Sequence, residues 1–534
     1  MSLAVAVLVL VAAWFVLLPV RSSVTSDDGA YAVHVVALEE RGSWSVPHVL
    51  AEVDPAGVTY PYQNFSVSDE GFFPAARHAV WIRVLDGANA VGGVAGMRVV
   101  PALGLVLAVA ASVALSGLLH PAAGRWLPGA LACLSPLAFN GLQLWAHAVV
   151  AGFIGLALVA LTRLAERPTF TWTAAGMIGV AVASGLRADG FIFAVAVVGV
   201  LLLSGLRQRS VPVLASGAAT GLAAIASFLL SAAYADSFVG SAAGAGVTSN
   251  RAAGSGIAGR LGGAVQTFVT SGDSPAALVL AVAALGFVGY AVLQVRRGDG
   301  RAATALLVLA TVLWVVRTSL EPRSEATGLV AAWPVLLLGA IRPWSTLGRG
   351  DRRLLGVVGI AAIGVLVTQY DEGGGLNWGG RFLAPAIPAL AVLAAAGLRH
   401  ARVRLAEADF RRWCVAAGSL IAVTFAASLV FDAAGRLRHE ELIARVEGVT
   451  EVPVVTSVDP LPRLAWRTYP EVQWLRVPTD EAGGVRALID DLRTAGVEQV
   501  ALFGVSPEDA KALAGRRTRI DTSEPVIVDV TGER

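Results

Sequence analysis

Long apolar runs recur along most of the chain, and short polar segments separate them. A helix of about 20 residues crosses the hydrocarbon core of a bilayer, so these runs predict about thirteen membrane-spanning helices. The predicted spans are 1–20, 92–118, 126–141, 144–162, 169–186, 190–206, 211–233, 276–295, 302–317, 326–341, 354–370, 382–398 and 413–432. The run at 126–141 is short and contains Pro136, so a re-entrant segment is the alternative there.

Arginine-rich short loops predict the orientation of these spans. The loops on one side contain Arg125, Arg163, Arg167, Arg207, Arg209, Arg296, Arg297, Arg301, Arg342, Arg349, Arg352, Arg353, Arg399, Arg402, Arg404, Arg411 and Arg412. The positive-inside rule places that side in the cytoplasm. The first loop of the opposite side, 21–91, contains four arginines and nine acidic residues. We therefore predict a multi-pass protein of the cell membrane with a cytoplasmic N-terminus and an extracytoplasmic C-terminus.

The polar pattern of the first outer loop predicts two short helices on the membrane surface, over 27–41 and 71–87. Each predicted helix has acidic residues at or just before its start, Asp27-Asp28 and Asp69-Glu70 respectively. Acidic side chains at a helix N-terminus interact favourably with the helix dipole.

From residue 434 onward no apolar run is long enough to span, and strand-like and helix-like segments alternate. The predicted strands are Val452–Thr456, Val472–Val477, Gln499–Val505 and Val526–Val530, and the predicted helices are Asp480–Ala495 and Pro507–Gly515. This pattern predicts a small extracytoplasmic α/β domain, 434–534, after a transmembrane domain, 1–433. It contains no phosphate-binding loop motif, so no nucleotide site is predicted.

Composition excludes several other classes of protein. The chain has 534 residues, of which 55% are hydrophobic and 15% charged, and its mean hydropathy is +0.67. A soluble globular protein of this length is not so apolar. The formal net charge of +2 gives no reason to expect nucleic acid as a partner, whereas membrane lipids are expected. The two cysteines, Cys133 and Cys414, both lie in apolar runs, which excludes a disulfide framework.

Four short segments, taken in their order, resemble a known family. The acidic pair Asp27-Asp28 follows the first apolar run, and a segment of small residues ending in Arg98 opens the second span. An outer turn contains Arg187, and Trp378–Pro385, which contains Arg381, precedes a late span. Over residues 1–400 this layout resembles the GT-C superfamily of polytopic glycosyltransferases. That superfamily includes protein O-mannosyltransferases, lipid A aminoarabinose transferases, and actinobacterial arabinosyl- and mannosyltransferases.

The resemblance implies an all-α membrane fold with an active site at the outer face. It implies a donor in which a sugar is linked to a polyprenyl phosphate, with arabinose and mannose as the leading sugars. The acceptor would be a hydroxyl group of a cell-envelope glycan, lipid or protein, and the transfer would invert the configuration at the anomeric carbon.

The resemblance also assigns roles to residues of this chain. Asp27 or Asp28 would be the catalytic base, and capping of the following helix is the alternative. Arg187, Arg381 and Arg98 would bind the donor phosphate, because the planar guanidinium matches phosphate geometry. The alternatives are an interfacial arginine that reaches toward the headgroups, a pair with Asp189 for Arg187, and a structural ion pair for Arg98.

A second group of polar residues in the outer loop could contact the acceptor or hold a divalent cation such as Mg or Mn. This group is Asp69, Glu70, His34 and His78. Helix capping for the acids and a surface position for the histidines are the alternatives. Two other functions also fit the pattern: a secondary transporter, although no internal repeat is evident, and a non-catalytic lipid-binding or assembly protein on the same scaffold.

Overall fold

In a computed structural model, the chain forms two compact units, each assembled from separate stretches of sequence. The structure describes residues 26–62, 66–68, 71–73, 78–121, 126–239, 256–269, 274–321, 328–368, 379–449, 451–458, 460–469, 471–478, 484–514 and 521–530. The membrane unit comprises the described residues within 98–232 and 250–432. The loop–sheet unit comprises those within 18–97, 233–249 and 433–534.

Helices account for nearly all of the membrane unit. They are the second part of α2 (Ala79–Leu119), α3 (Trp126–Cys133), α4 (Pro136–Leu142), α5 (His147–Leu164), α6 (Phe170–Leu186), α7 (Ala188–Gln208), α8 (Val211–Val239), α9 (Gly256–Phe268), α10 (Pro275–Arg297), α11 (Gly300–Leu320), α12 (Leu329–Ala332), α13 (Arg349–Thr368), α14 (Ile387–Arg404) and the first part of α15 (Glu407–Val446). Three 3-10 helices join them, at Pro334–Ile341, Trp344–Thr346 and Arg381–Ala386.

Within the described ranges, eight helical segments are long and apolar enough to cross a membrane. The chain is therefore a multi-pass membrane protein, as predicted. The count of thirteen spans and the orientation of the termini stay predictions, and the predicted span 1–20 lies outside the described residues.

Two predicted spans are interrupted. The run 126–141 forms two short helices, α3 and α4, and Ser135 caps the second by accepting a hydrogen bond from Leu137 N at 3.1 Å. The run 326–141 is not one helix either, in its C-terminal counterpart at 326–341, which breaks into α12 and a 3-10 helix at Pro334. Both breaks occur at a proline that begins a new helix, because proline fits the first helical turn but not a helix interior.

Helix α2 bends sharply where the predicted span was expected to begin. Gly92 and Gly93 leave helical geometry, and Gly93 has φ 58° and ψ −153°, a combination that essentially only glycine adopts. Residues before the bend belong to the loop–sheet unit, and residues from Arg98 onward belong to the membrane unit.

The first outer loop contains one of its two predicted helices in full. The predicted helix 27–41 is α1, Ser26–Arg41. The predicted helix 71–87 is wrong over its first part, because Gly71–Phe73 forms strand β2 and pairs antiparallel with β1, Ser66–Ser68. The α-helical part begins only at Ala79. Asp69 and Glu70 lie outside the described residues.

The C-terminal residues form the predicted α/β arrangement. A four-stranded sheet has the order β4 (Trp474–Arg476), β3 (Val454–Thr456), β5 (Gln499–Leu502), β6 (Val526–Asp529). Strand β3 is parallel to both of its neighbours, and β6 is antiparallel to β5. The accompanying helices are α16 (Leu461–Leu464), followed by a 3-10 helix at Trp466–Thr468, then α17 (Gly484–Thr494) and α18 (Pro507–Ala514).

The first outer loop contributes directly to the core of this sheet. Leu50 is 1% exposed and belongs to the same hydrophobic cluster as Leu475 and Leu502. The backbone N–H of Arg476 donates to the carbonyl oxygen of Thr59 at 2.8 Å. The loop and the C-terminal residues therefore fold as one unit. The boundary at residue 434 stays a prediction.

Candidate functional site

The acidic pair lies in the first turn of α1, in the loop–sheet unit. Asp28 is 2% exposed, whereas Asp27 is half-buried. The helix that follows is also enclosed, since Ala32, Val33 and Val35 are fully buried. A helix buried around most of its circumference holds its first turn in a fixed position.

Gly29, directly after the pair, brings α1 against a C-terminal element. A Cβ atom at Gly29 would lie 3.1 Å from Cα of Arg463 and would overlap the Arg463 carbonyl group. Helix α1 packs against α16, which contains Arg463, and against the 3-10 helix Trp466–Thr468. Arg463 is itself 5% exposed. The C-terminal residues thus form one wall around the acidic turn.

Sequence reasoning missed Arg463 and this wall. More than 400 positions separate Gly29 from Arg463 along the chain, and neither lies in a recognisable motif. Only the close approach of the two backbones reveals the relationship.

Buried tyrosines accompany this wall. Tyr60 and Tyr62 lie with ring centroids 5.4 Å apart, and Tyr60 stacks on Phe72 at 4.7 Å. Burial raises the pKa of both phenols well above their usual value. Burial also raises the pKa of Tyr469, although a hydrogen bond with Arg41 opposes that shift. These phenols stay protonated at neutral pH, so they can donate hydrogen bonds but do not add negative charge.

The two predicted loop histidines occupy different environments. His34 is fully buried on α1, and its Nδ1 lies 2.8 Å from the carbonyl oxygen of Trp44. Burial lowers the pKa of His34 to about 4, which keeps the ring neutral. The ring of His78 lies edge-on to Tyr31, with centroids 5.8 Å apart. No group of three or more metal-ligating side chains occurs among the residues that the structure describes.

In the membrane unit, Arg187 separates α6 from α7 and pairs with a neighbour. Its Nε donates to Oδ1 of Asp189 at 2.7 Å, and both side chains are buried. The pair is the alternative that the sequence left open. Its geometry leaves the phosphate-binding role of Arg187 a prediction.

Arg381 begins the 3-10 helix that leads into α14. Gly379 and Gly380 precede it with φ of 79° and 59°, values that favour glycine. The Arg381 guanidinium carbon lies 5.3 Å from the ring centroid of Trp145. The 3-10 helix packs against α4, α5 and α7. Because α7 starts directly after Arg187, the structure brings the elements that contain Arg187 and Arg381 together.

Arg98 lies on α2 near the start of the membrane unit and is 6% exposed. Six residues later, α2 crosses α5 closely, because a Cβ at Gly104 would overlap the backbone of Val149. Val149 is in the first turn of α5, so Arg98 lies toward the end of the unit at which α5 begins.

Buried side-chain amides near Trp145 were also missed. Asn140 and Gln143 are 0% and 1% exposed. The signal in the sequence was available: they are the only amide side chains in the apolar stretch 126–162.

Comparisons with known proteins are informative at the level of structure only. No protein-family model and no curated protein matches the chain. The crystal structure of ArnT from Cupriavidus metallidurans bound to undecaprenyl phosphate matches with a TM-score of 0.51 and 15% identity, covering 100% of this chain and 99% of ArnT. The apo state of the same protein gives a TM-score of 0.50 at 15% identity, with the same coverage.

The archaeal oligosaccharyltransferase AglB from Archaeoglobus fulgidus, in complex with an inhibitory peptide and a dolichol-phosphate, has a TM-score of 0.48 at 14% identity. This match covers 94% of this chain and 69% of AglB. The match to ArnT extends over the full length of both chains, which includes the C-terminal sheet. The resemblance to the GT-C superfamily is thereby confirmed in the fold: the chain has a GT-C-like membrane fold with a small C-terminal sheet.

Proposed function

We propose that this chain transfers a sugar from a polyprenyl-phosphate donor to a hydroxyl acceptor at the outer face of the cell membrane. The observation that carries the proposal is the acidic pair in the first turn of a buried helix, directly after the first apolar run, in a chain with a GT-C-like fold. The ArnT structure that it resembles contains undecaprenyl phosphate, which supports a lipid-linked donor.

The reaction needs a proton acceptor and a stabilised leaving group. An aspartate carboxylate takes the proton of the acceptor hydroxyl while the acceptor oxygen bonds to the anomeric carbon. The bond between that carbon and the phosphate oxygen breaks, and its electron pair leaves with the polyprenyl phosphate. A guanidinium stabilises the extra negative charge on the phosphate. Attack from the face opposite the phosphate inverts the anomeric configuration.

The two aspartates divide the work in this proposal. Asp27 is half-buried and can meet a substrate hydroxyl, so we assign it the role of base. Asp28 is 2% exposed and precedes the glycine that packs on Arg463, so we assign it to positioning the turn. This assignment predicts a larger loss of kcat in Asp27→Asn than in Asp28→Asn.

Among the arginines, Arg381 is the preferred phosphate ligand. Arg187 already shares its charge with Asp189 at 2.7 Å, whereas the ring contacts of Arg381 with Trp145 and Phe382 leave its charge uncompensated by them. Arg98 is the third candidate. A divalent cation, Mg or Mn, stays a possibility for the outer loop through Asp69 and Glu70.

The donor sugar and the acceptor follow from the resemblance alone. Arabinose and mannose are the proposed donor sugars, and an envelope glycan or lipid is the proposed acceptor. The non-catalytic lipid-binding protein is the alternative that the experiment below must exclude.

The test is transfer by the purified protein in lipid nanodiscs, with labelled decaprenyl-phosphate sugars and an envelope glycan as acceptor. Asp27→Asn should reduce kcat by at least about 100-fold, as expected for loss of general base catalysis. Glu52→Gln is the matched control, because Glu52 is an exposed acid of the same outer loop. Transfer that persists unchanged in the Asp27→Asn, Asp28→Asn double variant would refute the proposal.

A further inference from the structure

Three neutral polar side chains are buried together at the end of α4 and just after it. Asn140 lies in the last turn of α4, Gln143 caps the helix, and Trp145 follows two residues later. They are 0%, 1% and 1% exposed. We call Asn140, Gln143 and Trp145 the amide cluster.

The polar atoms of the amide cluster have no hydrogen-bond partner within the described part of the chain. This holds for the nitrogen and oxygen of both amides and for Nε1 of Trp145. Elsewhere in the same unit, buried hydroxyls are satisfied by helix carbonyl groups, as Thr162 is by Leu158 at 2.9 Å. Buried polar groups without partners are costly, so five such atoms in one place point to a ligand that supplies them.

The amide cluster lies beside the arginine that we assign to the donor phosphate. The Arg381 guanidinium carbon is 5.3 Å from the Trp145 ring centroid. The residue two positions before Arg381 also touches α4, because a Cβ at Gly379 would overlap the side chain of Pro136. The sugar of the donor is bonded directly to the phosphate. A phosphate on Arg381 therefore places the sugar within reach of these side chains.

The chemistry of the cluster indicates an uncharged ligand rich in hydroxyl groups. Each amide offers both donors and acceptors, and the indole N–H adds a donor, which matches hydroxyls that donate and accept at once. Helices α3, α4 and α5 contain no acidic residue. The acid on the neighbouring α7, Asp189, is paired with Arg187. An ammonium group would thus meet Arg381 and no available carboxylate.

We propose that Asn140, Gln143 and Trp145 form the subsite for the donated sugar, and that this sugar is neutral, without an amino group. This inference rests on the proposed function, since it takes the donor phosphate at Arg381 as its starting point. It goes further by assigning the sugar to named residues and by restricting its class.

The test measures binding, so that it does not depend on turnover. Wild-type protein in nanodiscs is titrated with decaprenyl phosphate, with decaprenyl-phosphate arabinose, with decaprenyl-phosphate mannose, and with a decaprenyl-phosphate amino sugar. Asn140→Leu and Gln143→Leu should each weaken binding of one neutral glycosylated carrier by about tenfold, the worth of one or two hydrogen bonds. They should leave the Kd for decaprenyl phosphate within about twofold.

A buried amide at the far end of a helix provides the matched control. Gln294→Leu, in the last turn of α10, should change neither Kd, because Gln294 is buried at 9% exposure outside the cluster. Without ligand, Asn140→Leu should unfold at a temperature equal to or above that of the wild type, since leucine removes unsatisfied polar atoms. A strongly lowered unfolding temperature would instead indicate a structural hydrogen-bond network and would overturn the proposal.

Three further outcomes would overturn it. They are equal affinity of the wild type for bare and glycosylated carriers, equal loss of both in the variants, and tighter binding of the amino sugar than of the neutral sugars. Loss of the proposed function has a different signature, because glycosylated carrier would then bind selectively without any transfer to acceptor.

Discussion

Replacement of Gly29 by alanine tests whether the acidic turn depends on its contact with the C-terminal residues. In the native packing, the added Cβ would lie 3.1 Å from Cα of Arg463 and overlap its carbonyl group. Carbon atoms in ordinary contact are about 3.5–4.0 Å apart. Both atoms belong to backbone, so no side-chain rotation can relieve the overlap. Helix α1 must therefore move away from α16 by several tenths of an ångström or more.

The magnitude follows from the quality of this packing. An extra methyl group in a well-packed core costs about 1–3 kcal/mol. We expect the upper end, about 3 kcal/mol, because Asp28, Ala32 and Val33 on the same helix are nearly or fully buried and leave no room for repacking. A cost of about 3 kcal/mol raises the open population of this contact by about 100-fold.

The assay is native-state hydrogen exchange of peptides from α1 and from 461–468, combined with transfer activity. Gly29→Ala should lose protection in both peptides and lose activity, although both aspartates remain. Gly87→Ala is the control: it is an exposed helical position with nothing within 4 Å of the added Cβ, and it should be neutral or stabilising by up to about 1 kcal/mol. Wild-type protection and activity in Gly29→Ala would refute the reasoning.

Two further predictions concern buried charges and buried histidine. The pKa of His34 is about 4 in the folded chain and about 6.5 when unfolded, so the unfolded chain binds more protons and stability should fall from pH 6.5 toward pH 4 by about 3 kcal/mol. His34→Gln should flatten this dependence in thermal unfolding at pH 5.0 and 7.5, and an unchanged slope would contradict the assignment. Asp351 accepts from Arg342 at 2.7 Å and from His120 at 3.0 Å while 2% exposed. Asp351→Asn should therefore cost about 3 kcal/mol, measured by thermal inactivation in detergent; a loss below about 1 kcal/mol would indicate that the triad is dispensable.

Much of the fold was predictable because its cause is local. The apolar runs of α7 and α10 have the length that a bilayer requires, and the alternation after residue 434 is typical of an α/β sheet. The helix predicted over 71–87 failed at its start for a non-local reason. Phe72 and Phe73 fit a helix as well as a strand, and pairing with Ser66–Ser68 decides between the two.

The candidate site divides in the same way. The acidic pair and Arg381 could be found because each adjoins an apolar run and matches a family layout. Arg463 could not, since its importance arises only from a backbone contact with Gly29. Asn140 and Gln143 were visible as polar residues in an apolar stretch, but only the structure shows that their polar atoms lack partners within the described chain.

The helices of the membrane unit have two different solvents. In α5, 83% of the spanning window is buried in protein, whereas in α8 and α11 only 28% is. A polar substitution at Leu229 of α8, which is 59% exposed, is paid in transfer from lipid, while truncation of Ile154 in α5, which is fully enclosed, leaves a void. The fold can consequently drift in sequence along its lipid-facing helices while α5 keeps its side-chain volumes.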